Sequence, residues 1–396
     1  MFTKAFIPYK GYYTTPFSRW QMTLANEHAL VLGGATVSRW LAERKIDPKV
    51  FDYLYFGYTV HQRQNFYGAP WMAALIGAGG IPGCTISQAC STSTTCIYSS
   101  AAGIETGLFD TAINVMADRM SNGPHIVWPN PNGPGGEVIH ENWVMDNFGS
   151  DPVAKNAMIQ TAENVAKEMG ATKEQADELT AVRYEQYNDA LKNDREFQKR
   201  YFLPVEVKVS KKKTITLAED EGVTPTTRES LAGLGPVLPG GILSYGTQTH
   251  PADANAAVIV ARRDKAKELS ADPSVEIQIL SYGFSRAPKG FMPRAPVPAA
   301  RMALEKAGLS IGEMKAIKSH NPFIANDLYF AKEFGIDGAT MNNYGSPLVY
   351  GHPQGPTAGR CVMELVEELV LKGGGYGLFT GCAAGDTGAA LVIKVG

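Results

Sequence analysis

Two thiols and an imidazole in this chain are of types that together could run nucleophilic chemistry, and each stands in or beside a turn of small residues. Cys90 lies in Gln88-Ala89-Cys90-Ser91-Thr92-Ser93, after the strand-like run Cys84-Thr85-Ile86 and ahead of a small-residue helix predicted over 91–107. A thiol at a helix N-terminus meets the partial positive charge of the helix end, which favours the nucleophilic thiolate. His352 lies in Tyr350-Gly351-His352-Pro353-Gln354-Gly355, and Cys382 in Thr380-Gly381-Cys382-Ala383-Ala384-Gly385-Asp386. A nucleophilic cysteine needs an imidazole to take its proton and a second group to return one, and these two turns could supply both. Taken singly, each residue has a plainer reading as a packing thiol or a turn-capping imidazole. Only the set points to chemistry.

The elements that must hold these residues alternate along the chain. Helical spacing over 25–41, a buried strand at 53–58, a helix over 71–79 and a strand at 111–116 surround Cys90. The alternation resumes at 256–260, and a second series starts at 275–280. It runs through a strand near 316–318, a helix over 358–371 and closing strands at 376–380 and 389–395. Alternating strands and helices imply an α/β fold whose sheet is covered on both faces. The second series echoes the first in its order of strand, thiol or imidazole turn, helix and strand. Residues 121 to about 245 have a different character. Trp128 to Gly136 is so rich in Pro, Gly and Asn that no regular structure is expected there. Charged amphipathic helices follow, one opened by the capping box Thr172-Lys173-Glu174-Gln175. The lysine-rich run 208–213 reads first as a solvated hairpin.

Composition excludes several function classes. With 396 residues, 44% hydrophobic and 19% charged, the chain is long enough for two or three domains and a large core. A net charge of −2 gives no electrostatic ground for a nucleic acid or anionic membrane partner. No run approaches the roughly twenty apolar residues needed to span a bilayer. Met1 to Pro8 lacks a signal-like apolar region, so a cytoplasmic location is expected. Five cysteines, an odd number, suggest no disulfide framework. Cys84, Cys90 and Cys96 do not have Cys-x-x-Cys spacing, so no metal is expected in this chain, and Cys84 and Cys96 read as structural thiols. His28, His61, His125, His140 and His250 lack comparable company and read as structural. Of these, His125 and His140 flank the Pro/Gly segment, where a substrate could reach them.

Residues of these types, in this order, resemble the thiolases, which carry a nucleophilic Cys before a buried helix, an Asn/His-Glu-Ala-Phe motif, a Gly-His-Pro motif and a Cys-x-Gly motif. His320-Asn321-Pro322-Phe323 resembles the second motif with its middle pair replaced. Thr15-Pro16-Phe17-Ser18-Arg19, Asp118-Arg119-Met120-Ser121 and Thr161-Ala162-Glu163-Asn164-Val165-Ala166 extend the likeness over nearly the whole chain. The resemblance implies a duplicated five-layer α/β/α/β/α thiolase fold with an inserted loop domain. Residues 1–120 and 246–265 would form the N-terminal half, 121–245 the substrate-covering insertion, and 266–396 the C-terminal half, with the site between the halves.

The same resemblance implies an acyl-CoA C-acyltransferase that cleaves a β-oxoacyl-CoA with coenzyme A as cosubstrate, through an acyl group on Cys90. His352 would take the thiol proton, Cys382 would protonate the departing carbon, and His320 with a bound water would face the enolate oxygen. The backbone N–H groups of Cys90 and Ala384 would form the oxyanion hole, Ala384 standing where the family usually has Gly. Thr249, Lys211, Lys212 and Arg228 are candidate substrate or coenzyme A contacts. Asn321-Pro322, Pro347, Trp128 and Trp143 suggest a pocket unlike that for linear acetoacetyl groups. Within the family the chain is similar to a divergent branch related to sterol-carrier-protein-type thiolases, and inside it to the thiolase subunits of benzoylsuccinyl-CoA thiolases of anaerobic toluene breakdown. Some members of that branch work with a small zinc-ribbon and OB-fold subunit, so a homodimer joined to such a subunit is expected. Two other readings compete. A ketoacyl-synthase-type condensing acyltransferase would typically lack the second catalytic cysteine, and a retro-aldol lyase or silent scaffold subunit would not need both cysteines and both histidines.

Overall fold

The computed structural model describes residues 1–396. In chain order the strands are β1 (Phe6–Ile7), β2 (Tyr12–Thr14), β3 (Ser18–Arg19), β4 (Tyr53–Gly57), β5 (Gly83–Ile86), β6 (Thr111–Arg119), β7 (His125–Pro129), β8 (Val138–Asn142), β9 (Val205–Ser210), β10 (Lys213–Leu217), β11 (Ala252–Ala261), β12 (Ile277–Arg286), β13 (Met314–His320), β14 (Gly375–Ala383) and β15 (Thr387–Val395). The helices are α1 (Ala29–Glu43), α2 (Gly68–Leu75), α3 (Thr92–Glu105), α4 (Met145–Gly149), α5 (Met158–Met169), α6 (Lys173–Lys199), α7 (Arg228–Ala232), α8 (Arg263–Leu269), α9 (Pro296–Ala307), α10 (Ile324–Phe334), α11 (Pro347–Tyr350) and α12 (Thr357–Leu371). No helix is long and apolar enough to cross a membrane.

Eleven strands make one mixed sheet in the order β13-β14-β15-β12-β1-β11-β6-β4-β5, with β2 and β3 also pairing with β11. Its two halves repeat one pattern. In the first, β4 and β6 are parallel, β6 and β11 antiparallel, and β11 and β1 antiparallel. In the second, β13 and β14 are parallel, β14 and β15 antiparallel, and β15 and β12 antiparallel. The corresponding strands β1 and β12 pair at the junction, with Phe6 opposite Gln278.

Helices cover both halves. A core of 31 buried residues contains Cys96, Ile97 and Ala101 of α3 and Val362, Leu365 and Leu369 of α12, packed between strands of the two halves. A second core sets Leu30 and Trp40 of α1 and Met72 of α2 against the outer face of the first half, and a third sets Ala299 and Leu304 of α9 and Phe330 of α10 against the second. This is the five-layer α/β/α/β/α arrangement with α3 and α12 in the middle. Strand β11 is buried at every position, and from 256 to 261 it reads as an unbroken apolar run, as expected when helices cover both sides.

Residues between β6 and β11 contain two hairpins, β7/β8 and β9/β10, together with helices α4 to α7. Buried charges clamp this segment to the second half. Arg183 of α6 donates to Asp327 of α10 at 2.9 Å and to the carbonyl of Gly338 at 2.8 Å. Asp220 accepts both guanidinium nitrogens of Arg360 of α12 at 2.6 and 2.8 Å, and that guanidinium lies 3.4 Å from the Tyr350 ring centre. Removing one partner of such a pair leaves a buried charge uncompensated.

One expectation fails here. The segment Trp128 to Gly136 is not wholly irregular, because Trp128 and Pro129 end β7, opposite Ile139 and Val138 of β8. Its prolines fall at a strand end and in the turn, where no ladder hydrogen bond is lost.

Candidate active site

Tight backbone turns aim the two central groups at each other. Cys90 directly precedes Ser91, the N-cap residue of α3. Ala89 before it has a φ of 45°, and Thr92 locks the turn by donating to the Ala89 carbonyl at 2.7 Å while accepting from the Gln88 N–H at 2.9 Å. His352 follows Gly351, whose φ is 99°; a Cβ there would lie 2.8 Å from His250 Nε2, so this position needs glycine. Thr357 Oγ1 sits 2.7 Å from His352 Nδ1 and fixes the ring, and His352 Nε2 lies 3.1 Å from Cys90 Sγ. The turn beyond is tied to the first half of the chain. Asp118, at the end of β6, accepts the Gly355 N–H at 2.8 Å and also those of Thr59 and Val60, and Ser93 donates to the Gly355 carbonyl.

His320 ends β13, opposite Gly381 of β14. Its Nδ1 lies 3.2 Å from the carbonyl of Cys382, so Nδ1 carries the proton and Nε2 keeps a lone pair. That Nε2 is buried with no protein partner. The His320 and His352 ring centres are 4.3 Å apart. Asn321 holds the turn by donating to Asp327 at 2.6 Å and accepting the Leu348 N–H at 3.2 Å. Thus Cys90, His320, His352 and Cys382 are brought together where the halves meet. The sulfur of Cys90 and the nitrogens of His320 and His352 also lie within 4.8 Å of one another, so the thiol and both imidazoles share one small space.

Burial sets the electrostatics. It pushes the Cys90 thiol up to about 12, against the opposing influence of the backbone N–H groups of Ala384 and of Cys90 itself. Burial and the neighbouring His320 hold His352 well below its ordinary value, and burial lowers His320 to about 4. Cys382 is raised well above its ordinary value by burial and then by the nearness of Cys90. The resting pair is therefore a neutral thiol beside a neutral imidazole, not the thiolate expected from the helix end. A rise from 9.0 to about 12 corresponds to roughly 4 kcal/mol, whereas a helix terminus contributes at most about 2 kcal/mol. Desolvation wins.

A cavity of about 750 Å³ opens onto Cys90, His352 and Ala384. Apolar side chains including Phe148, Met158, Met292, Phe323 and Leu348 form much of its wall, and Arg19 is its one charged lining residue. Thr249 lines it too, donating its hydroxyl to the Pro347 carbonyl at 2.6 Å. Lys211 and Lys212 instead form the exposed turn between β9 and β10, and Arg228 is exposed and paired with Glu178 and Glu185; none of the three lines the cavity. Trp128, Trp143, His125 and His140 also lie outside the lining; the two imidazoles face each other across β7/β8 at 3.1 Å. His250, expected to be only structural, does line the cavity. Its carbonyl accepts the His352 N–H at 2.9 Å, its Nε2 is buried without a partner, and burial lowers it to about 4. Its place two residues before the apolar run of β11 was the only available signal.

The thiolase N-terminal domain family matches residues 11–264, and the thiolase C-terminal domain family matches residues 274–395. A probable acetyl-CoA acetyltransferase of Mycobacterium leprae is 27% identical over 389 residues, covering 96% of this chain and 97% of its own. An acetyl-CoA acetyltransferase of Yarrowia lipolytica is 30% identical over 391 residues, covering 96% and 94%. The crystal structure of human mitochondrial 3-ketoacyl-CoA thiolase in complex with CoA superposes with a TM-score of 0.90 at 26% identity, over 99% of this chain and 98% of that one.

Proposed function

The chain belongs to the thiolase family and is an acyl-CoA acyltransferase, and we propose that it cleaves a β-oxoacyl-CoA with coenzyme A through an acyl group on Cys90. The observation that carries this reading is the 3.1 Å contact of Cys90 Sγ with His352 Nε2, beside the second thiol and at the floor of the cavity. As Cys90 Sγ attacks the ketone carbon, His352 Nε2 takes the thiol proton. The oxyanion forms against the N–H groups of Cys90 and Ala384. The carbon-carbon bond breaks, and a water donating to the free lone pair of His320 Nε2 turns its second proton to the enolate oxygen. Cys382 protonates the α-carbon, and the shortened thioester leaves. The Cys382 thiolate then takes the proton of the incoming coenzyme A thiol, which attacks the acyl group, and His352 returns its proton to Cys90.

The finer reading is that benzoyl is carried on Cys90 and succinyl-CoA is released from 2-benzoylsuccinyl-CoA, in the cytoplasm. An apolar cavity with aromatic side chains at Phe148, Tyr184, Tyr245 and Phe323 and a single cation at Arg19 supports a substrate with an aryl group and a free carboxylate. Incubation with 2-benzoylsuccinyl-CoA and coenzyme A should yield benzoyl-CoA and succinyl-CoA by mass spectrometry. A clear preference for acetoacetyl-CoA would refute the substrate but keep the chemistry.

Residues 121–245 serve in this proposal as the cover of the site, and 1–120 with 246–265 and 266–396 as its two supporting halves. A homodimer joined to a small zinc-ribbon and OB-fold subunit would complete the acyl-CoA site. The β7/β8 hairpin, which exposes Val127, Trp128, Val138 and Ile139, supports this. Co-expression with the small subunit should restore turnover that the isolated chain lacks. Full activity of the chain alone on its true substrate would sink the idea.

A further inference from the structure

Cys382 is enclosed by protein, and one side chain addresses its sulfur. Asn326, in the first turn of α10, is 3% exposed, and its Nδ2 donates to Cys382 Sγ at 3.2 Å. Its other amide atom, Oδ1, is buried and has no hydrogen-bond partner, an arrangement that costs free energy unless the contact at Nδ2 or a bound molecule offsets it. The next residue, Asp327, accepts from Arg183, Ser319, Asn321 and Asn342, so the helix start that presents the amide is held by a saturated network. A buried, unsatisfied amide kept against a sulfur by such a scaffold needs a reason.

We propose that Asn326 is a positioning residue that holds Cys382 Sγ by an N–H donor and makes this thiol a stronger acid for the carbon-protonation step. The inference rests on the thiolase reading of Cys382 given above. In that step the S–H bond breaks, its proton goes to the α-carbon of the departing enolate, and the sulfur keeps the electron pair as thiolate. An N–H donor stabilises the thiolate more than the thiol, because a hydrogen bond to a charged acceptor is the stronger one. The shift is in the same direction: Asn326 lowers the Cys382 pKa against the larger, opposing push of burial. The same donor then makes the thiolate a weaker base toward the coenzyme A thiol, so its main benefit falls on carbon-carbon cleavage. Asn326 makes the side-chain hydrogen bond to this sulfur, and His320 spends its Nδ1 proton on the Cys382 carbonyl.

Two substitutions test this, read by single-turnover kinetics in both half-reactions. Asn326→Leu removes the donor and should slow carbon-carbon cleavage by roughly 10–100-fold, the size of a lost hydrogen bond to a charged group. Acylation of Cys90 by a simple acyl-CoA should fall far less. Asn326→Asp keeps the shape, and its carboxyl can donate only when protonated, so its cleavage rate relative to wild type should recover as the pH is lowered. Equal losses in both half-reactions, or an Asn326→Asp deficit that does not depend on pH, would reduce Asn326 to a packing role and overturn the inference. Absence of any coenzyme A dependent cleavage by the wild-type protein would instead defeat the reading on which it rests. Should Asn326→Leu fail to fold, the pH dependence of the isosteric Asn326→Asp decides alone.

Discussion

If the resting Cys90–His352 pair is neutral, the pH dependence of Cys90 alkylation should differ in kind from that of a thiolate-imidazolium pair. A thiol pushed to about 12 is ionised to roughly one part in 10⁴ at pH 8, whereas a free cysteine near 8.5 is about one quarter ionised. Iodoacetamide reacts with the thiolate, so Cys90 should be modified on the order of 10³-fold more slowly than a free thiol at that pH. Its rate should climb about tenfold per pH unit across the accessible alkaline range, without a plateau. His352 is neutral throughout, so His352→Asn should leave this slope intact while abolishing acyl transfer. Quantifying the carbamidomethylated Cys90 peptide by mass spectrometry from about pH 6 to 10 gives the profile. A plateau at or below pH 8 would refute the argument, because it would require a thiolate paired with a protonated His352. The consequence for the reaction is that proton transfer to Nε2 must accompany attack on the ketone and cannot precede it.

Brief exposure to substrate should place the acyl mass on the peptide of Cys90, and finding it on Cys84, Cys96 or Cys382 would overturn the assignment. Cys382→Ser should keep acylation at Cys90 far better than Cys90→Ser does, but lose the carbon-carbon step by about 10²–10⁴-fold; equal losses would count against proton transfer by Cys382. Acid should weaken the fold through its buried neutral imidazoles. His250 and His320 are lowered to about 4, so below about 6.5 the unfolded chain binds protons that the folded chain refuses. Stability from each is present above that pH and lost as pH falls toward 4. The carboxyls of Asp118 and Asp253, raised by burial to about 7 and about 6, act in the opposite sense. His250→Gln isolates one term: the fall in Tm between pH 7 and 5 should be smaller in the variant, and an equal fall would refute the assignment.

Much of the fold was legible because strand and helix periods are local properties. The runs at 111–116, 256–260 and 389–395 fall in strands of the large sheet, that at 53–58 overshoots β4 by one residue, and Thr172 does form the capping box with Gln175. Cys90, His352 and Cys382 could be singled out because small residues flank each of them, and at Gly351, with its φ of 99°, such a residue does permit a special backbone; His320 came only from the family resemblance, and Cys382, expected in a turn, lies within β14. What could not be read depends on distant partners. Nothing around Cys90 in sequence shows that burial outweighs its helix end, because the protein that buries it comes from the other half of the chain. Asn326 and His250 were invisible for the same reason: one matters through a sulfur 56 residues away, the other through a cavity wall. The Pro/Gly segment was misread because composition alone does not distinguish an irregular loop from the tip of a hairpin.

The repeated topology explains why the site lies where it does. Cys90 precedes α3 and His352 stands in the turn before α12, and these two helices are the corresponding central elements of the two halves. Cys382 and Asp118 are likewise near the ends of corresponding strands, β14 and β6. In the proposed reaction one half thus contributes the nucleophile, and a carboxylate whose acceptance of the Gly355 N–H orients the other half's turn. The second half would contribute the base, the second thiol and His320. Neither half holds a complete set, so the reactive contact exists only once α3 and α12 pack, and the buried core between them determines the 3.1 Å separation of sulfur and imidazole. A core substitution at this seam, far from any substrate, should therefore change acyl transfer through that distance. Ligand sites in such sheets gather beyond the carboxyl ends of strands because the turns there are free of pairing obligations. Here two such ends, related by duplication, are brought face to face.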